Sequence, residues 1–135
     1  GFDGSDPSKR AAKVAAEMAS RSGAGITLAE VVPQLYIPGD SAGMLTADLM
    51  QRDHHVAEQQ LASVADELRA SGASDVRTEV LEGSPSSEMA RVADGDPEVD
   101  MVVVGRSGKG AVKRALLGSV ATRLAQTCTK PVLIV

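Results

Sequence analysis

The chain has 135 residues, 43% of them hydrophobic, which suits one compact domain, residues 1–135, around a single core. Aromatic residues make up 1% and tryptophan is absent, which argues against a base-stacking surface, and the formal net charge of -4 opposes non-specific attraction to nucleic acid or anionic lipid. No segment reaches the roughly 18 consecutive apolar residues of a membrane span, and the start carries neither a basic nor an apolar leader region, so the expectation is a cytoplasmic protein with no membrane or nucleic-acid partner.

Gly1-Phe2-Asp3-Gly4-Ser5 reads as the end of a strand and the turn into a helix. The strand itself is missing, and an open slot in a sheet leaves backbone groups unpaired, so residues are expected before Gly1. Asp6 and Pro7 form a cap and first-turn pair, after which Ala11, Val14, Ala15 and Met18 recur on one helical face until Gly23 and Gly25. Ile26 to Val32 is aliphatic and β-branched, and Pro33 closes it as a strand. Pro33 to Thr46 has no sustained period and predicts a long exposed loop. Ala57, Leu61, Val64 and Leu68 then line one face of a long helix that stops near Gly72.

Val76, Thr78 and Val80 alternate as a half-buried strand, Gly83 turns the chain, and Ser84-Pro85 restarts a helix through about Ala93. Met101 to Val104 is a short apolar run, Leu117 to Thr127 a final helix, and Val132 to Val135 a last apolar strand after Pro131. Runs without polar alternation suit strands covered on both faces, and alternating helices and strands predict an α/β fold.

The chemistry concentrates after the apolar run. Gly105-Arg106-Ser107-Gly108-Lys109-Gly110 follows a strand directly, and Gly118-Ser119 opens the next helix. Strand, glycine loop and helix are the order that binds phosphate, because glycines let backbone approach an anion and helix N-termini present free N–H groups to it. Lys109, Lys113 and Arg114 add positive potential or form a solvated basic turn.

Other chemistries fit poorly. His54 and His55 are adjacent, about 100° apart on a helix, unlike an i, i+4 zinc pair. Ser107 lacks the G-x-S-x-G spacing of a nucleophile elbow, and neither the P-loop nor the G-x-G-x2-G fingerprint is present. Cys128 is the one cysteine, so no intrachain disulfide can form. Glu79, Glu82, Asp94, Asp96, Glu98 and Asp100 lie in strand ends and turns, without an acid and base pair. No catalytic residue and no metal-ligating set is assigned.

The combination Gly105-x2-Gly108-x9-Gly118-Ser119 resembles the nucleotide-binding pattern of the universal stress protein family. Asp3-Gly4-Ser5 is similar to the end of that family's first strand, and Lys130-Pro131-Val132-Leu133-Ile134-Val135 to its last. The resemblance covers essentially the whole chain. It implies a doubly wound, parallel five-stranded sheet with helices on both faces and order 3-2-1-4-5, the missing strand being number one. It also implies an adenine nucleotide, with Val31 at the base, Asp3 at the nucleoside and Gly105, Gly108, Gly118 and Ser119 around the phosphates. Arg106, Ser107, Lys109 and Val120 line the site, and Val104 lies beside the base or sugar or is buried in the sheet.

The ligand expected on this ground is ATP, with AMP or another adenine nucleotide as alternatives, and Mg2+ or Mn2+ held mainly by phosphates. A homodimer through Val132 to Val135 is implied as well. The function expected is an ATP-binding regulatory module of the stress response with at most weak ATPase activity. The alternatives are an ATP-hydrolysing or adenylyl- or phosphoryl-transfer enzyme, and a nucleotide-independent interaction domain of a larger protein.

Overall fold

Ser5, not Asp6, caps the first helix. The computed structural model describes residues 1–34, 42–109 and 117–135, and only the backbone of 42–46. Asp3 holds Ser5 in an extended conformation, so α1 (Asp6–Ser22) starts one residue earlier than expected, and it ends at Gly23 with a left-handed φ of 72°. Its buried face is Ser8, Ala11, Ala12, Ala16 and Ala19. Of the expected face only Ala11 is fully buried, while Val14, Ala15 and Met18 are half-buried. The smallest side chains meet the core, which brings the helix backbone close.

Strand β1 (Ile26–Val32) ends before Pro33 as expected. Residues 35–41 of the expected loop lie outside the described residues, and its far end is shorter than expected because α2 (Ala42–Ala70) already includes 42–46. Gly43 in the first turn costs only about 1 kcal/mol relative to alanine. Ala57, Leu61, Ala65 and Leu68 form its buried line, with Val64 beside them. Strand β2 (Val76–Glu82) pairs with β1 in parallel, Ile26 opposite Val76 through Val32 opposite Glu82. The expected alternation fails there. Thr78 is exposed while Leu81 is buried, because each face of β2 is covered at a different point along its length.

The second half comprises α3 (Pro85–Gly95), β3 (Val102–Val104), α4 (Ser119–Thr127) and β4 (Val132–Ile134). Gly118 stays extended and caps α4, so that helix starts two residues after Leu117. Strand β3 pairs with β4 in parallel, Val102 opposite Val132 through Val104 opposite Ile134. The described residues form two parallel pairs, and Gly1 and Phe2 bond to a strand of each. The Phe2 N–H donates to Ala29 O at 2.8 Å and the Gly1 amine to Val103 O at 2.7 Å.

Two apolar clusters follow. Phe2, Leu28 and Val76 pack with α1 and α2, whereas Val102, Val104 and Val132 pack with α3 and α4. Side chains alternate along a strand, so Leu28 and Glu30 face the α2 side of β1. Ala29 and Val31 face the other side and share a cavity wall with Pro85 and Met89 of α3. Helices thus cover both faces of β1, and the fold is α/β with parallel strands.

Candidate functional site

The carboxyl ends of β1 and β3 and the starts of α1, α3 and α4 converge on a cavity of about 430 Å³, within the size range of small-molecule sites. Among the expected residues, Asp3, Val31, Val104, Gly105, Ser107, Gly108, Lys109, Gly118, Ser119 and Val120 line it. Arg106 does not. Its side chain is exposed, and its backbone ties the loop down: the N–H donates to Val135 O at 2.8 Å and the carbonyl accepts from Gly118 N at 2.7 Å. Gly110, Lys113 and Arg114 lie outside the described residues.

The glycines owe their identity first to neighbouring protein atoms. A Cβ on Gly105 would stand 2.7 Å from the carbonyl carbon of Pro7 and 2.8 Å from Ser8 N, so the loop rests against the start of α1. A Cβ on Gly108 would stand 2.5 Å from Asp3 Oδ2, and one on Gly118 3.1 Å from Ser107 Cα. Their spacing in sequence records where the loop touches α1, the N-terminal turn and itself.

Asp3 is the latch. Its Oδ1 accepts the Ser5 N–H at 3.0 Å and the Ser5 hydroxyl at 2.6 Å, and its Oδ2 accepts the Lys109 N–H at 2.8 Å. Burial pushes its carboxyl pKa up, but hydrogen bonds from Ser5, the Lys109 amide and Ser8 outweigh burial and hold it below the ordinary aspartate value. An ionised carboxylate thus sits in the wall.

Opposite it, α4 begins without a side-chain cap at Gly118. The N–H groups of its first turn have no intrahelical acceptor, and Ser119, Val120 and Ala121 carry them along the cavity wall. With the Ser119 hydroxyl, this is a donor set for an anion, favoured by the helix dipole. The other end is apolar, built from Phe2, Ala29, Val31, Pro85, Met89 and Val104. A flat apolar group at one end and an anion at the other match this division. Among the described residues no three His, Cys, Asp or Glu side chains gather as a metal cluster.

Sequence reasoning missed Ser8, Ala29, Pro85, Met89 and Ala121 as lining residues. Ala29 was within reach, since it shares a strand face with Val31 at i, i+2. Ala121 follows Val120 into the first turn of α4. Pro85 and Met89 carry no local signal, because only the tertiary fold brings α3 to the site.

The model of the Universal stress protein family matches residues 1–135. A universal stress protein of Methanocaldococcus jannaschii is 33% identical over 136 residues, covering 98% of this chain and 77% of that one. Among solved structures, a universal stress protein UspA of Lactobacillus plantarum superimposes with a TM-score of 0.91 at 22% identity, covering 99% of this chain and 92% of that one. A universal stress protein solved in complex with cAMP has a TM-score of 0.67 at 30% identity, covering 99% of this chain and 91% of that one. No described helix is long and apolar enough to cross a membrane. A match along the whole chain, a relative at this identity and the same fold agree: the chain belongs to the universal stress protein family.

Proposed function

We propose that the cavity binds an adenine nucleotide, ATP in the first place, and that the chain is a regulatory module whose occupancy alters its association with partners in a stress response. The observation that carries this reading is the convergence of an apolar slot, the Gly105–Lys109 loop and the start of α4, which has no side-chain cap, on one cavity. The 30% identical relative solved with cAMP supports an adenine nucleotide.

Val31, Ala29, Met89 and Val104 would hold the base, Asp3 the nucleoside, and Gly105, Ser107, Gly108, Lys109, Gly118, Ser119 and Val120 the phosphates. Arg106 would act from outside the lining, by fixing the loop to Val135 and Gly118. A divalent ion, Mg2+ or Mn2+, would be held by the phosphates, in keeping with its reluctance to shed water. We further propose one domain over residues 1–135 with strand order 3-2-1-4-5, a cytoplasmic location, and a homodimer through Val132 to Val135. Among the described residues β4 pairs on one side only, and an open edge invites a partner.

The test is calorimetric titration with magnesium-ATP, magnesium-GTP, AMP and cAMP, with Ser119→Ala and Gly118→Ala alongside. Saturable binding that prefers adenine and weakens in both variants supports the reading. No binding to a folded protein overturns it, and steady turnover of ATP replaces a binding module with an enzyme.

A further inference from the structure

Lys109 belongs to two cavities. Its N–H is fixed to Asp3 in the wall of the nucleotide cavity, while its side chain runs over Gly4 into a second cavity of about 480 Å³ between α1 and α2. The ammonium lies 3.2 Å from where a Cβ on Gly4 would stand, so the glycine leaves it room. It ends 3.9 Å from Glu30 Oε1. Glu30 is 8% exposed, and among the described residues its Oε2 has no hydrogen-bond partner. An ionised carboxylate in such a place is costly unless paired, and the Lys109 ammonium is the partner within reach.

We infer that Glu30 is a positioning residue that parks the Lys109 ammonium in the ligand-free protein, and that phosphates in the neighbouring cavity draw the ammonium away so that Glu30 takes up a proton. The inference rests on the nucleotide reading above. Lysine suits this use because its charge sits on a flexible stem and can exchange one anion for another. The proton taken up by the carboxylate comes from solvent, and no covalent bond changes.

The charged surroundings of Glu30 fix the sign. Lys109 and Asp3 act on it directly. Farther out, Lys9 and Lys13 of α1 and Glu67 of α2 rim the second cavity, and Glu82 is exposed at the end of β2. On the opposite face of β1, α3 brings Glu88, which packs on Gly83. Burial already raises the Glu30 pKa, the Lys109 ammonium holds it down, and the Asp3 charge raises it. Removing the ammonium raises it further. The bound state then holds more protons than the free state, so affinity rises as pH falls, by up to about tenfold per pH unit for one proton.

The experiment is titration of the full chain with magnesium-ATP between about pH 5 and 7, in buffers of different ionisation enthalpy, for wild type and Glu30→Gln. Protonation of ATP itself is common to both. The expected result is a larger proton uptake in wild type, approaching one, and a steeper pH dependence than in Glu30→Gln. In ligand-free protein followed by carboxyl NMR, Lys109→Met should raise the Glu30 titration midpoint and Lys109→Arg should restore it. Equal proton counts in wild type and Glu30→Gln, or an unmoved midpoint in Lys109→Met, overturn the inference while leaving nucleotide binding intact. No ATP binding to folded wild type overturns both, and the ligand-free titration then still judges the Glu30–Lys109 couple by itself.

Discussion

Asp3 and Lys109 stand 106 positions apart in sequence, yet the Asp3 carboxylate accepts the Lys109 N–H at 2.8 Å. The bond fixes the glycine loop to the turn that starts α1, and Ser5 holds the other carboxylate oxygen. Asp3→Ala is expected to destabilise the chain by about 1–3 kcal/mol at pH 7, the usual scale for hydrogen bonds to a charged group. The sign with pH follows from the lowered carboxyl pKa. The contribution is present above the ordinary value of 3.8 and is lost as pH falls through the folded-state value. Urea unfolding of both proteins should diverge at neutral pH and converge in acid, and a gap that persists at low pH assigns the effect to packing.

The glycines should separate into a structural and a functional kind. The obstacle to a Cβ at Gly105 is the Pro7–Ser8 backbone at 2.7 and 2.8 Å, which cannot step aside without moving α1. At Gly118 the nearest atoms stand at 3.1 and 3.2 Å, so they need give way by only a few tenths of an ångström. Gly105→Ala should therefore cost on the order of 1–3 kcal/mol or more in thermal unfolding. Gly118→Ala should cost clearly less while still weakening nucleotide binding. Equal losses of stability would mean that the loop relaxes as one piece.

Ser119→Ala isolates the ligand side of the site. Ser119 is exposed, lies in the first turn of α4 and lines the cavity. Its variant should unfold like wild type, and its affinity for ATP should drop by roughly twofold to tenfold, the worth of one ordinary hydrogen bond. Unchanged affinity in a folded variant removes the hydroxyl from the phosphate set.

What sequence could reveal depended on the range of each interaction. Helices, strands and the glycine loop were legible because their periods and turn residues are local. The strand β1 matched its expected limits, and the loop after β3 fell where the apolar run ended. The rotation of α1 was not legible. Val14 and Met18 are the larger apolar groups of the helix, but the alanine face is the buried one, and the first turn of the helix lies close against Gly105. Glu30 was equally hidden, since nothing local tells a buried carboxylate in an aliphatic strand from a solvated one. Its meaning comes from Lys109, 3.9 Å away in space and far off in sequence.

The two apolar clusters allow a test of cooperativity. Leu61 centres the cluster of α1, α2 and β1, and Leu124 the cluster of α3, α4, β3 and β4, each with 0% exposure. Truncation to alanine at such sites costs about 2–5 kcal/mol. The clusters are joined by short-range bonds: Gly1 to Val103, Phe2 to Ala29, and Lys109 to Asp3. If these bonds couple the halves fully, Leu61→Ala and Leu124→Ala each lower a single transition seen alike by fluorescence-free probes such as circular dichroism and hydrogen exchange. Hydrogen exchange that accelerates only in β3 and β4 for Leu124→Ala, with β1 and β2 still protected, would show instead that the half carrying the start of α4 opens separately. Nucleotide binding would then be expected to slow that exchange first, because the α4 end of the cavity is built from the half that opens.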